Sequence, residues 1–168
     1  MSPLRRTAIT LVRSLVRTLV LLAAFAGLLA PLAPAAAQGP GPGPVLQGLG
    51  GERLSDADLA QGATIFIVWA SWSPHSRDVV PRVNQVSQRW SGKARVVTVN
   101  FQEDRGAVES FLAGKNMGAT VFLDADGAFS KRYAVATLPG LLIIKDGRVA
   151  YRGKLPDDPD RVIVEILP

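Results

Sequence analysis

An apolar strand that leads directly into a polar turn is the feature that most constrains the fold of this chain. Residues 64–69 form a continuous run of β-favouring side chains, which is typical of a strand buried on both faces. Ser73 and Pro74 then favour the start of a helix, because the hydroxyl can cap free N–H groups and the proline loses no hydrogen bond there. The apolar spacing predicts a helix over residues 74–90, kinked at Pro81 because proline removes a backbone donor.

The rest of the chain alternates between predicted strands and predicted helices. Asp146 and Gly147 lie between two β-favouring runs and predict a hairpin. The other predicted elements are an edge strand or hairpin over residues 45–51, a strand over 95–100, a helix capped by Asp104, a strand over 119–123, a short helix through Tyr133 and a final helix over 158–167. This order predicts an α/β fold in which a mixed central sheet carries helices on both faces.

The turn and its flanks resemble the active site of the periplasmic TlpA/ResA branch of thioredoxin-like proteins. The family pattern is Trp-Ala-x-Trp-Cys-x-x-Cys-Arg-x-x-x-Pro, and its other residues are matched by Trp69, Ala70, Trp72, Arg77 and Pro81. Serines, at positions 73 and 76, occupy both cysteine positions. The resemblance covers residues 45–167 and implies a thioredoxin-like fold with the central insertion typical of that branch.

The two serines remove the chemistry that the family uses. Serine keeps the size and hydrogen bonding of cysteine but supplies no thiolate, so Ser73 and Ser76 are predicted to be vestigial and not catalytic. Either the protein lost its redox chemistry naturally, or the cysteines of an oxidoreductase were replaced. Val79 stands where related reductases often carry a proton-handling glutamate, and Ile67 stands where classical thioredoxins have a buried aspartate. These two positions favour natural loss.

The Leu138-Pro139 pair matches the loop that carries a cis-proline beside the active site in this family. In family members the backbone before that proline pairs with an extended substrate segment, which requires no sulfur. Gly140 departs from the threonine often found there, and a purely structural turn is the alternative interpretation. The resemblance implies a binding groove formed by Trp72, Ser73, Pro74, His75, Ser76, Leu138 and Pro139.

Composition excludes several other classes of function. The chain has no cysteine and one histidine, so a metal site is not expected and no cofactor is predicted. Its net charge of +5 comes largely from four arginines in the first 17 residues. The rest of the sequence has no basic patch of the kind that binds nucleic acid, so nucleic-acid binding is not expected. His75 lies beside Ser76, but adjacent residues on a helix do not face each other, so a hydrolase site is not expected.

The first 37 residues have the pattern of an export signal. A basic start precedes an apolar run over residues 19–30, and three alanines lie before Gln38. The run is shorter than the roughly 20 residues that span a bilayer, so a cleaved signal peptide over residues 1–37 is predicted, with an uncleaved membrane anchor as the alternative. Residues 38–44 form a Gly/Pro linker, and residues 45–168 form the thioredoxin-like domain. The predicted location is the periplasm or cell envelope.

The leading prediction is an exported, redox-inactive thioredoxin-like protein that binds a polypeptide partner in the groove and has no enzymatic activity. The alternative is a thiol–disulfide oxidoreductase of the TlpA/ResA type whose cysteines were replaced by serine. A third alternative is an anion or small molecule bound near Ser73, where N–H groups at the start of the helix are free.

Overall fold

The structure is a computed structural model that describes residues 43–168. The predicted signal peptide and most of the Gly/Pro linker lie outside the described residues. The strands are β1 (Leu46–Gly48), β2 (Arg53–Leu54), β3 (Ala63–Trp69), β4 (Arg95–Phe101), β5 (Thr120–Asp124), β6 (Gly140–Lys145) and β7 (Arg148–Lys154). The α-helices in this part of the chain are α1 (Val79–Trp90), α2 (Arg105–Leu112), α3 (Ala128–Arg132) and α4 (Pro159–Ile166).

The strands form one mixed sheet in the order β2-β1-β5-β4-β3-β6-β7. The central strands β3, β4 and β5 are parallel, and antiparallel pairs flank them on both sides. Parallel neighbours need crossover connections, which contain α1 and α2. Because β3 and β4 run in the same direction with Trp69 opposite Asn100, the segments that follow both strands emerge at the same edge of the sheet.

Two hydrophobic cores lie on opposite faces of the sheet, and β3 contributes to both. Ile65, Ile67 and Trp69 belong to the core that contains buried side chains of α1 and α4. Phe66 and Val68 belong to the other core, which includes a buried phenylalanine of α3. Successive side chains of a strand point to opposite faces, so the uninterrupted apolar run supplies both cores at once. The fold is thioredoxin-like, as predicted.

The helix predicted over residues 74–90 begins later than expected. Pro74–Ser76 form a single 3₁₀ turn, and the α-helix starts at Val79. The prediction that the Ser73 hydroxyl caps this helix is wrong, because its side chain makes no capping hydrogen bond. Pro81 is the third residue of α1, where the backbone N–H has no partner within a helix. Pro81 therefore removes no hydrogen bond from α1, so the cause that the sequence suggested for a kink is absent.

Several local predictions are confirmed. The Asp104 carboxylate caps α2 by accepting a hydrogen bond from the Ala107 N–H at 2.8 Å. Asp146 and Gly147 connect β6 to β7 with φ values of 50° and 74°, the left-handed conformations that a type I′ hairpin turn requires. The chain end forms α4, as predicted. Within residues 43–168, no helix combines the length and apolar character needed to cross a membrane.

Candidate functional site

The turn after β3 and the loop before β6 meet at one edge of the sheet. The Ser73 hydroxyl donates a hydrogen bond to the Leu138 carbonyl oxygen across 3.4 Å, joining segments that are 65 residues apart. The Leu138–Pro139 peptide bond is cis. The Pro139 carbonyl accepts from the Leu155 N–H at 2.9 Å, which ties the loop to the end of β7. The two segments that the sequence singled out are thus direct neighbours.

A cavity of about 420 Å³ opens between this turn and this loop. Its walls combine apolar side chains with hydroxyl groups, which is typical of a ligand-binding cleft. The lining residues are Trp72, Ser73, Phe101, Ser130, Val135, Ala136, Thr137 and Leu138. The indole of Trp72 is 59% exposed, more than any other large apolar side chain among the described residues. It is therefore the largest apolar surface on this wall that a ligand could cover.

A second cavity, of about 400 Å³, continues the first along α3, and the two share Phe101, Ser130, Val135 and Ala136. We call the two cavities together the groove. Two residues of the second cavity, Gln102 and Ala134, have φ values of 54° and 48°. Left-handed backbone costs a non-glycine residue on the order of 1 kcal/mol. Backbone strain is therefore concentrated along the second half of the groove.

The predicted site residues divide into three groups in the structure. Trp72, Ser73 and Leu138 line the groove. Pro74 and His75 are exposed on the 3₁₀ turn but do not belong to the lining of either cavity. Pro139, the last residue of the loop before β6, is buried, and Ser76 is completely buried. The Ser76 hydroxyl finds no hydrogen-bond partner among residues 43–168.

The two positions at which related reductases and thioredoxins carry acidic groups are part of the hydrophobic core. Val79 and Ile67 are both 0% exposed, and both belong to the core between the sheet and α1. A carboxylate at either place would require burial among apolar side chains, which raises its pKa and destabilises the fold unless it is paired. Positions 67 and 79, near Ser73 and Ser76, thus lack the acidic groups that assist thiol chemistry in the related proteins.

Sequence reasoning missed Glu103, which lies in the segment between β4 and α2. Its carboxylate accepts hydrogen bonds from the Ser71 N–H at 2.6 Å, from the Ser71 hydroxyl, and from the Asn100 side-chain amide at 2.6 Å. Ser71 immediately precedes Trp72 in the turn. The available sequence signal was the strand–helix–strand order over residues 64–100, since such a connection favours parallel strands and so brings the segments after both strands together.

A polar cluster fixes the helix that forms one wall of the groove. The Tyr133 hydroxyl, directly after α3, donates to Asp56 at 3.0 Å, and the same carboxylate pairs with Arg132. Burial, together with the hydrogen bond and negative charge of Asp56, raises the pKa of Tyr133 above its usual value of 10.0. In the part of the chain that the structure describes, no group of three or more His, Asp or Glu side chains is placed to hold a metal ion.

Comparisons with known proteins agree with this architecture. The family model described as Redoxin matches residues 32–167. The chain is 28% identical over 107 residues to the thiol-disulfide oxidoreductase ResA of Bacillus subtilis. This match covers 62% of this chain and 60% of ResA. It is also 27% identical over 104 residues to the soluble secreted antigen MPT53 of Mycobacterium tuberculosis. That match covers 61% of this chain and 60% of the antigen. The chain thus matches about 60% of the length of these curated relatives.

Solved structures show the same arrangement of strands and helices. A Chlorobium tepidum protein described as a thiol:disulfide interchange protein, DsbE, has a TM-score of 0.64 at 27% identity, covering 74% of this chain and 92% of that chain. The exposed lipoprotein thioredoxin of Streptococcus pneumoniae has a TM-score of 0.63 at 18% identity, covering 73% and 96%, and shows the fold alone. Because the Redoxin family model matches residues 32–167, which are most of the chain, this cysteine-free chain belongs to the redoxin family.

Proposed function

We propose that this protein is an exported, redox-inactive redoxin that binds an extended polypeptide in the groove. The observation that carries the proposal is an open cavity lined by an exposed Trp72 at the place where the relatives' sulfur chemistry would occur. Ser73 and Ser76 replace the two cysteines, so thiol–disulfide exchange is unavailable. Backbone pairing and contact with an indole ring require no sulfur.

The groove offers two kinds of contact to an extended chain. The backbone around Leu138 can pair with an added strand, as in other complexes formed by strand addition. The side chains of Trp72, Phe101 and Val135 provide an apolar wall against which one ligand side chain can pack. Covering an exposed indole removes a large apolar surface from water, and such residues often dominate binding energy. We therefore assign the anchoring contact to Trp72.

The proposed location is the periplasm or cell envelope. Two observations support it: the signal-like pattern over residues 1–37, and the similarity to a protein named a soluble secreted antigen. Expression of the full chain with a C-terminal tag, followed by cell fractionation, tests it. We expect the tagged protein in the envelope or periplasmic fraction, and recovery only from the cytosol would contradict the proposal.

Binding is tested with a polypeptide that cannot fold. The probe is a globular protein that has been reduced and alkylated with iodoacetamide, then labelled with a fluorophore for anisotropy measurements. We expect Trp72→Ala to weaken binding by ~2 kcal/mol, about thirtyfold, because it removes the anchoring indole. Thermal stability should change little, since the indole is 59% exposed.

The matched control is Val164→Ala in α4, because Val164 is also an exposed apolar side chain, at 49%, and does not line the groove. It should leave affinity unchanged. Equal affinity of the wild-type and Trp72→Ala proteins, or no measurable binding of the probe, would contradict the proposed function.

A further inference from the structure

The Glu103 carboxylate collects three hydrogen bonds from two neighbouring segments. Two come from the N–H and hydroxyl of Ser71, and one comes from the side-chain amide of Asn100 at the end of β4. All three bonds are partly shielded from solvent, and Asn100 is completely buried. Hydrogen bonds to an ionised carboxylate are roughly twice as strong as bonds between neutral groups. This arrangement therefore fixes Ser71 relative to the central sheet.

Ser71 is the residue at which the chain leaves the core. Ala70 before it is completely buried, whereas Trp72 after it extends into solvent beside the groove. At 59% exposure little of the indole is packed, so its direction follows the backbone of the turn, which the Ser73 N–H closes by donating to the Ala70 carbonyl at 3.2 Å and which Glu103 holds at Ser71. The Ser73 hydroxyl bond to Leu138 is long, at 3.4 Å, and adds only a weak constraint.

We propose that Glu103 is a positioning residue that sets the direction of Trp72 across the groove. The geometry of Trp72 stands on the structure alone, whereas the consequence for binding rests on the proposed function. A carboxylate suits this task because all three converging groups are donors and a carboxylate is an acceptor only. Glutamine has the same shape, but its N–H₂ group can meet only the Ser71 hydroxyl, which must then turn and accept, and the negative charge that strengthens all three bonds is lost. Glu103→Gln should therefore weaken the bonds that hold Ser71 without creating a cavity.

The direction of Trp72 is tested by ¹⁹F NMR on the full chain labelled with 5-fluorotryptophan. The chain has three tryptophans, and the Trp72 signal is assigned by its loss in Trp72→Phe. We expect Glu103→Gln to shift or broaden the Trp72 signal and leave the other two signals in place. The matched control is Glu109→Gln, the same change on α2, where Glu109 is exposed and pairs with Arg105. It should move none of the three signals.

The binding consequence is measured with the same alkylated, unfolded probe protein. We expect Glu103→Gln to weaken probe binding about tenfold, the equivalent of one lost charged hydrogen bond, and Glu109→Gln to have no effect. Ser71→Ala removes only the hydroxyl bond and serves as a milder variant if Glu103→Gln does not fold. Because both changes act on one contact, the double variant should lose less affinity than the sum of the single losses.

The outcomes separate this inference from the proposed function. A Trp72 signal that stays in place while Glu103→Gln lowers stability would overturn the positioning role and leave a structural one. A displaced Trp72 signal supports the positioning role even if the wild-type protein binds no probe, in which case only the proposed function fails. A displaced signal with unchanged probe affinity would overturn the link between Glu103 and binding.

Discussion

At the scale of single residues, the hydroxyls of Ser73 and Ser76 meet different surroundings although both serines stand at cysteine positions of the family pattern. The Ser73 hydroxyl contacts the Leu138 carbonyl. The Ser76 hydroxyl is buried and, within residues 43–168, has no partner. A buried hydroxyl without a hydrogen bond destabilises the folded state, because its bonds to water are lost and not replaced.

We expect Ser76→Ala to raise the free energy of unfolding by about 1 kcal/mol, since it removes this unsatisfied group. Ser73→Ala should lower it by less than about 1 kcal/mol, because one long hydrogen bond is lost and no helix cap is involved. Urea unfolding followed by circular dichroism measures both changes. A Ser76→Ala protein less stable than wild type would contradict the expectation for the buried hydroxyl.

Restoring both sulfurs separates natural loss from replacement. In Ser73→Cys/Ser76→Cys the thiols return, but Val79 and Ile67 still leave the two acidic positions apolar and buried. A correctly placed acid–base group contributes roughly 10²–10⁴ to a rate. We therefore expect insulin reduction at least about a hundredfold slower than that of a ResA-type reductase assayed alongside. A comparable rate would favour the oxidoreductase alternative.

At the scale of secondary-structure elements, the short helix α3 supports much of the groove wall. Ser130 lies within it, and Val135 follows it. Its C-terminal end is held by Asp56, which belongs to a 3₁₀ turn that precedes β3. The position of the wall therefore depends on a contact between segments that are far apart in sequence.

This contact predicts a pH dependence of stability. Burial and the nearby Asp56 carboxylate raise the pKa of Tyr133 above 10.0, so the folded state favours the neutral phenol. The stabilising contribution is complete below pH 10 and is lost as the pH rises through the raised pKa. Tyr133→Phe should therefore be less stable than wild type by about 1 kcal/mol at pH 8, and the difference should shrink above pH 10.

Urea unfolding between pH 7 and pH 11 measures the effect of this substitution. Tyr151→Phe, on β7, controls for the loss of a hydroxyl and for the general effect of alkaline pH. A difference between wild type and Tyr133→Phe that stays constant up to pH 11 would contradict the assigned contact between Tyr133 and Asp56.

The elements themselves were predictable because their signals are local. The apolar run of β3, the Asp104 cap and the Asp146-Gly147 turn each depend on residues that are adjacent in sequence. The partners of the site depend on distant residues. The Ser73 hydroxyl contacts Leu138 and caps no helix, and Glu103 bonds to Ser71 across 32 residues. Local propensity carries no information on which distant acceptor a hydroxyl will meet, so these contacts required the assembled sheet.

At the scale of the whole molecule, the chain contains no cysteine, so no disulfide bond cross-links the elements that form the two cores. We expect the urea unfolding midpoint to be identical with and without dithiothreitol. We also expect no insulin reduction above buffer at any pH, because no thiolate can form. A midpoint that shifts with reductant would contradict the first expectation, and insulin turnover in a pure sample would contradict the second.

Because Ser73 stands where the family pattern has a nucleophilic sulfur, a bound chain would also leave the groove in a different way. In a dithiol protein the second thiol breaks the covalent intermediate, so the reaction itself ejects the product. Without that step, departure is a simple dissociation governed by affinity. For association near 10⁶ M⁻¹s⁻¹ and a micromolar dissociation constant, a bound segment would stay for on the order of one second. In the proposed role, occupancy would follow the local supply of client chains, so the protein would act as a reservoir for them.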